Sequence, residues 1–394
     1  MENRFIEPLP LTELERRWAI AENLMKRRGL DALVMQNSND WLGGYVRWFG
    51  GVPANNAYPR AVVFFGAGDM GIVEQGEEGV ARTPSPDDDA WRGVRDVRFY
   101  PSYTSAYFSV AEDARLVADM LSERGAKKIG WVNPAGAFFG FAKALEQMHG
   151  ADRFVDLTDD IDQAKAIKSP VEQALIRRTA ALQDEVIMAV AGFIKPGLRD
   201  FEIAAFAQYE ASRRGAEQGI YISSSSPRGK AAVFRPRYMQ GRTIGAGDVF
   251  ALLVETNGPG GYYCEIGRTF SLGTPAPELK AAVQVAVDAQ AWSLDRLRPG
   301  TSVADVAAAN DAFLASHGRP PERRLYCHGQ GYDMVERPLV RANEDMVIRD
   351  NMNIVVHPGF VTPEANALVC DNYLIGPDGA GECLHRTSKA LMEI

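Results

Sequence analysis

A chain that repeats its own turn chemistry at a fixed spacing has few folds open to it. Here Ile194-Lys195-Pro196-Gly197, followed by Glu202-Ile203-Ala204-Ala205, recurs 103 positions later as Leu297-Arg298-Pro299-Gly300, followed by Asp305-Val306-Ala307-Ala308. Each copy reads as a helix, a Pro-Gly stop and a second helix started from a short polar loop. Strand-like segments follow each copy, 218–223 and 249–255 after the first, 353–356 and 367–375 after the second. Two α-α-β halves of about 100 residues predict an α+β domain, a sheet backed by two helix pairs. A site is then expected where the halves meet.

The residues before the repeat have another rhythm. Leu14, Trp18, Ala21 and Leu24 fall at helical spacing over 11–29, and Gly29 is placed to stop that helix. Short apolar runs follow at 32–36, 61–65 and 71–74, then a helical segment at 109–124 and a strand at 128–133. Strands alternating with helices predict an α/β layer domain with a parallel or mixed sheet. A long helical pattern then begins near Pro170, with Ser169 as its cap and Gln173 a little further on. The expected division is an N-terminal α/β domain over 1–160 and a second domain over 161–394.

Lys plus Arg number 43 against 51 Asp plus Glu, a net charge of −8, which argues against a nucleic-acid partner. No apolar run is long enough to span a bilayer, and the charged N-terminus lacks the apolar core of a secretory signal. The expected location is the cytoplasm, with no membrane partner. Five histidines and four cysteines, with no CxxC pair, leave little material for a site built from imidazole or thiol.

Four segments of the second domain carry a resemblance. GYYCEIGRTF at 261–270, CHGQGYDMVERP at 327–338, NIVVHPGF at 353–360 and LVCDNYLIGPDG at 368–379 stand in this order after the helix AKAIKSPVEQALIRRTAALQDEVI. Together they resemble the pita-bread fold of the M24 peptidases, aminopeptidase P, prolidase, creatinase and the dimethylsulfoniopropionate lyases. The resemblance covers the whole chain, because two-domain members carry an N-terminal α/β domain of this kind. It implies a pita-bread catalytic domain and a homodimer.

Metallopeptidases of this fold hold two metal ions with two Asp, one His and two Glu. At the matching positions this chain has Glu255 (or Val254, if no residue is dropped from the turn between the strands), Glu265, His328, His357 and Cys370, so only the histidine is kept in kind. Two further histidines of the peptidases are also missing, one of them replaced by Val335, although Glu336 and Pro338 remain. Carboxylate, imidazole and thiolate could together hold at most one divalent ion, Zn, Fe or Mn. The alternative is a metal-free site in which His328, His357, Glu265 and Glu336 act as acids and bases, as creatinase implies for this fold.

Candidate substrate contacts are Arg235 and Arg237, in the basic segment 221–242, and Tyr262 beside the first strand pair. Arg47 and Trp48 lie in the aromatic segment 39–51, which relatives place near a subunit contact. Arginines suit a carboxylate-bearing, anionic small molecule. The function expected is hydrolysis of a C–N bond in such a molecule, creatinase-like. The alternatives are elimination by a lyase, an Xaa-Pro metallopeptidase, or a binding protein without catalysis.

Overall fold

The structure is a computed structural model that describes residues 7–37, 44–54, 56 and 58–394. Its contacts divide the chain into two units, Met1–Lys165 and Ala166–Ile394. Trp41 and its immediate neighbours in the aromatic segment lie outside the described residues.

In the first unit the elements run α1 (Leu11–Arg28), β1 (Ala32–Asn37), α2 (Gly44–Gly50), β2 (Arg60–Gly66), β3 (Asp69–Gln75), β4 (Ala81–Arg82) and β5 (Val94–Tyr100). Then come α3 (Tyr107–Glu123), β6 (Ile129–Trp131), α4 (Phe139–His149), β7 (Phe154–Asp156) and α5 (Thr158–Ala166). The strands form one seven-stranded sheet in the order β4-β5-β3-β2-β1-β6-β7. It is mixed: β1 pairs antiparallel with β2 and parallel with β6. Val34, Val63 and Val73 of the sheet pack against Val110, Ala114, Val117 and Leu121 of α3 and Phe141 and Leu145 of α4. Gly29 ends α1 in the left-handed region, at φ +63°, which a residue without a Cβ enters at no steric cost.

The second unit opens with α6 (Pro170–Phe193). Its cap is a reciprocal pair: the Glu172 amide donates to Ser169 Oγ at 3.2 Å, and the Ser169 amide donates to Glu172 Oε2 at 2.6 Å. The partner of Ser169 is therefore Glu172 at the third helical position rather than Gln173. There follow α7 (Asp200–Arg213), β8 (Gly219–Ser226), β9 (Val249–Asn257), β10 (Tyr263–Ser271), α8 (Pro277–Leu294) and α9 (Val303–Ser316). The chain closes with β11 (Cys327–Gly329), β12 (Glu336–Leu339), β13 (Asn353–Val356), β14 (Gly359–Val361), β15 (Asn366–Leu368), β16 (Asp371–Gly376), β17 (Gly379–Cys383) and β18 (Met392–Glu393).

The repeat is visible in hydrogen bonds. Gly197, at φ +96°, donates its amide to the Ile244 carbonyl at 2.9 Å, and Ile244 donates back to Leu198 at 2.8 Å. Gly300, at φ +90°, donates to the Ile348 carbonyl at 2.8 Å, and Ile348 donates back to Thr301 at 2.9 Å. Each Pro-Gly turn thus ties its helix pair to the segment leading into a strand. Val186, Val190 and Ile203 of the first pair pack on Leu252, Val254 and Ile266 of the sheet. In the second half Val303 and Val306 of α9 pack with Ile354 and Val356.

The single sheet expected from sequence is two sheets, β18-β10-β9-β8 and β12-β11-β13-β16-β17, with a separate β14-β15 ribbon. The strand expected over 367–375 breaks at Val369-Cys370 because its partner changes. Leu368 pairs with Gly359 of β14, and Asp371 with Val356 of β13. Between them Cys370 bridges to Gly267 of β10, which is where the two larger sheets meet. Among the described residues no helix is long and apolar enough to cross a membrane.

One titratable group in the first unit opposes folding. Asp113 on α3 is buried, and burial pushes its carboxyl up to about 7. In the unfolded chain the group has its ordinary value near 4. Stability therefore falls as the pH rises from about 4 to about 7, by up to roughly 4 kcal/mol. Asp113→Asn keeps the shape and removes the charge. It is expected to raise the thermal unfolding midpoint at pH 8 and to leave it near the wild-type value at pH 4, as measured by calorimetry.

Candidate active site

β9 and β10 pair antiparallel with Glu255 opposite Glu265. Both side chains stand on one face of the hairpin, since alternation sends Val254, Cys264 and Ile266 to the other. On that other face the Cys264 thiol donates to the Ile176 carbonyl of α6 at 3.4 Å. The two carboxyls are buried side by side and act on each other. Burial raises both; the charge of Glu265 raises Glu255 further, and Glu265 itself is pushed up to about 7. Two anions in contact inside a protein repel, so the pair holds a proton between them.

The second sheet supplies two imidazoles. His328 on β11 is paired with Val355 of β13, and the His357 amide donates to the Tyr326 carbonyl at 2.8 Å, extending the same ladder. Val355 and His357, two residues apart on one strand, point to the same face, and His328 stands on it with them. Their ring centroids lie 5.3 Å apart, with the planes at 76°. His328 Nδ1 lies 2.9 Å from the Gly329 carbonyl, so this nitrogen carries the proton and donates, and Nε2 keeps its lone pair. That Nε2 is 3.8 Å from Glu265 Oε2. One ligand atom each from Glu265, His328 and His357 lies within 4.8 Å of the other two. Burial lowers both imidazoles, His328 to about 4, and the neighbouring His328 and Arg324 lower His357 further. Both rings are neutral near neutral pH. His357 Nε2 is sealed from solvent and has no hydrogen-bond partner.

An amide chain holds the carboxyl pair. Gln330 Nε2 donates to Glu255 Oε1 at 2.8 Å. Asn372 Nδ2 donates to Gln330 Oε1 at 2.8 Å and to Asn353 Oδ1 at 3.2 Å, and the Glu265 amide donates to Asn372 Oδ1 at 2.8 Å. The seam beside it needs a glycine: a Cβ on Gly267 would stand 3.0 Å from Cys370 Cβ and 3.1 Å from Leu253 Cδ1. Gln330, Asn353 and Asn372 lie inside segments that carry the resemblance, but neither they nor Arg324 were expected from sequence as site residues.

The remaining expected site residues are dispersed. The Cys370 thiol donates to the Glu265 carbonyl at 3.4 Å, and burial with the nearby Glu265 raises it well above its ordinary value. It is a neutral thiol beside the trio rather than a member of it. Glu336 is buried in an ion pair with Lys168, 2.7 Å from its Nζ, and also accepts from the Asp333 amide at 3.3 Å. It locks a loop and is not presented to a substrate. Tyr262 is buried, its ring 4.2 Å from that of Tyr332, and its hydroxyl donates to Glu172 Oε1 at 2.7 Å. Trp48 and Arg47 on α2 are buried inside the first unit, Trp48 packing edge-on against Phe49 with Arg17 over its ring. Large aromatic surface explains these placements: it is driven inward unless something holds it out.

Arg235 and Arg237 are exposed. Their loop comes to the edge of the site, because Phe234 packs on the apolar group of Leu253, Val355, Leu368 and Cys370. Three of the four serines of β8 are engaged within the protein: Ser223, Ser225 and Ser226 donate to Gln240, Asp200 and the Lys230 carbonyl. Arg324 has a half-exposed side chain, 2.8 Å from Glu322 Oε2. Its guanidinium lies across Gly359, where a Cβ would meet Nη2 at 2.7 Å, and its charge acts on both Glu265 and His357.

A two-ion centre does not fit these residues. It needs carboxylates that bridge, and here one of Glu255's oxygens is held by the Gln330 amide at 2.8 Å. The position of a further Glu is the neutral Cys370 thiol, and Asp371 next to it is held by Arg268 Nη2 at 2.6 Å.

The comparisons agree with the fold. An X-Pro aminopeptidase structure from Thermotoga maritima superposes with a TM-score of 0.80 at 16% identity, over 96% of this chain and 99% of that one. The prolidase structure from Pyrococcus horikoshii gives a TM-score of 0.73 at 20% identity, over 96% and 100%. In sequence, an uncharacterised peptidase of Bacillus subtilis is 22% identical over 70% of this chain and 77% of its own length. The Xaa-Pro dipeptidase of Pyrococcus horikoshii is 23% identical over 64% and 72%. The architecture is that of an N-terminal α/β domain followed by a pita-bread catalytic domain. Residues 174–379, more than half of the chain, match metallopeptidase family M24, and the protein belongs to that family of hydrolases.

Proposed function

We propose that the protein hydrolyses a C–N bond in a small molecule bearing a carboxylate. The observation that carries this is the buried group of Glu255, Glu265, His328 and His357, with the Arg324 guanidinium at its edge. The family is one of hydrolases, and relatives are named for dipeptide cleavage, which is also hydrolysis of a C–N bond. The donor set, however, has His357 and Cys370 where the peptidase centre has two glutamates, so a substrate other than an Xaa-Pro peptide is favoured.

The roles follow from where protons sit. Hydrolysis needs a group that takes a proton from water and one that gives a proton to the leaving nitrogen. The Glu255–Glu265 pair can do both, since it holds one proton and has room for another. A proton from water passes to a free oxygen of the pair, and the shared proton passes to the nitrogen. His328 and His357, held neutral by burial, offer lone pairs at Nε2 rather than protons. Among the groups expected from sequence to act as acids and bases, the proton donor in this reading is thus a carboxyl and not a histidine. Gln330 orients Glu255 and so fixes which oxygen is free. Arg324, with Arg235 beside the loop, would hold the substrate carboxylate by charge-assisted hydrogen bonds.

The reaction is identified by turnover of a panel of dipeptides, N-acyl amino acids and amidino acids in water enriched in oxygen-18. One labelled oxygen in the product is expected; a product without label means elimination and removes the hydrolase reading. On the substrate found, Arg324→Gln is expected to raise KM about 10- to 100-fold with little change in kcat, the size of one lost charged hydrogen bond. An analogue with its carboxylate amidated is expected to show no such difference. Glu255→Gln is expected to lower kcat at least about a hundredfold with KM nearly unchanged, measured by steady-state kinetics.

A further inference from the structure

We propose that Glu265, His328 and His357 form a mononuclear site for one first-row divalent cation of the zinc type, in place of a two-ion centre. The three donors come from β10, β11 and the end of β13, so the site is set by the pairing of strands and not by a loop. Two imidazoles and one carboxylate are a donor set of catalytic zinc sites, which keep a further position open. Mutual distances are near those an ion requires. With metal–ligand bonds of about 2.0–2.2 Å, two ligand atoms on a tetrahedral ion stand roughly 3.4 Å apart. His328 Nε2 and Glu265 Oε2 already stand at 3.8 Å.

Two observations independent of that spacing point to a cation. His357 Nε2 is closed to solvent and has no hydrogen-bond partner. Such an atom normally finds one, since leaving a polar group buried and unpaired costs about 1–3 kcal/mol. The second is the state of His328. Its Nδ1 donates to the backbone carbonyl of Gly329 at 2.9 Å, which turns the Nε2 lone pair toward Glu265. A ligating histidine is held in this way by a carbonyl on its far nitrogen.

The surroundings fit one ion and exclude two. Glu255 stands next to the trio but has Oε1 held by Gln330 Nε2 at 2.8 Å. Cys370 directs its thiol at the Glu265 carbonyl, and the amides of Gln330, Asn353 and Asn372 hydrogen-bond one another. A cation on Glu265 takes the place of the proton shared with Glu255, and the three donors beside it suffice for one ion and not for two. This proposal does not depend on which bond the protein cleaves.

The test is a titration of the full-length protein after removal of metal by a chelator and desalting. Co(II) binding is read by visible absorption, and Zn(II) binding by competition with a chromophoric chelator, with metal content measured after a second desalting. One equivalent per chain is expected for either ion. His357→Ala and Glu265→Gln are each expected to weaken that binding at least about a hundredfold, while Glu255→Gln and Cys370→Ser keep one equivalent. Circular dichroism checks that each variant is folded. Two equivalents in the wild-type protein, no stoichiometric binding, or loss of binding in Glu255→Gln would overturn the proposal; the wild-type stoichiometry decides even if a variant does not fold. Turnover without metal binding would defeat this inference and leave the hydrolase reading standing, whereas one tight equivalent without turnover would do the reverse.

Discussion

Two carboxyls sealed side by side from water cannot both be anions, and much of the second unit is arranged around that constraint. Register sets it: Glu255 and Glu265 are partners across a hairpin buried on both faces. The cost of desolvating two charges is avoided by keeping a proton between them. What remains is met by donors fixed in direction. Gln330 can give its amide hydrogen to Glu255 only because its own oxygen is satisfied by Asn372. Asn372 in turn is oriented by the Glu265 backbone amide and by Asn353. The chain of amides begins and ends on the two strands that carry the carboxyls. A partly satisfied chain of this kind would cost more than an apolar filling.

The imidazoles come from the other half of the repeat, and the repeat explains how they arrive. Each half uses a left-handed glycine after a proline to return the chain to the segment leading into a strand. The halves then differ in what they place on the facing side: carboxyls from the first and imidazoles from the second. Gly267 lets the strands approach closely enough for Cys370 to exchange backbone hydrogen bonds with it, at 3.1 and 3.4 Å. That contact joins the sheet that carries the carboxyls to the sheet that carries the imidazoles. The division of labour therefore lies in the side chains, since the two halves share one turn geometry.

The parts of the site that sequence made legible are those tied to backbone pattern. His328 and Glu265 stand in segments whose order and spacing are read directly, and strand alternation already separates Glu265 from Cys264. The helix–Pro-Gly–helix repeat was legible because proline and glycine act locally, through φ and the missing N–H. Arg324 and Asn372 were not legible, because their roles depend on tertiary neighbours: Gly359 beneath a guanidinium, and Gln330 across a sheet. Trp48 and Tyr262 misled for one reason. An aromatic flanked by glycines reads as a pocket wall, but the same large surface is what folding buries first. Glu336 misled differently, since a carboxylate in a familiar segment says nothing of the lysine that meets it 168 residues away.

Asp371 shows why the lost carboxylate at position 370 is not replaced by its neighbour. On a strand, consecutive side chains point to opposite faces, so a residue one step along cannot serve the same cavity. The opposite face here is occupied. Asp371 accepts from Arg268 Nη2 at 2.6 Å and from Gln290 Nε2 at 3.1 Å, with His385 Nδ1 at 3.5 Å. Arg268 in turn donates to the Gly267, Cys370 and Thr387 carbonyls. A slip of one residue would bring Asp371 to the trio, but it would place Cys370 against the guanidinium and leave a buried cation without its anion. Breaking a buried pair in that way costs about 3–5 kcal/mol. The register that holds the second sheet to the first thereby also holds the site at one carboxylate pair and two imidazoles, with no third acid in the ligand group among the described residues.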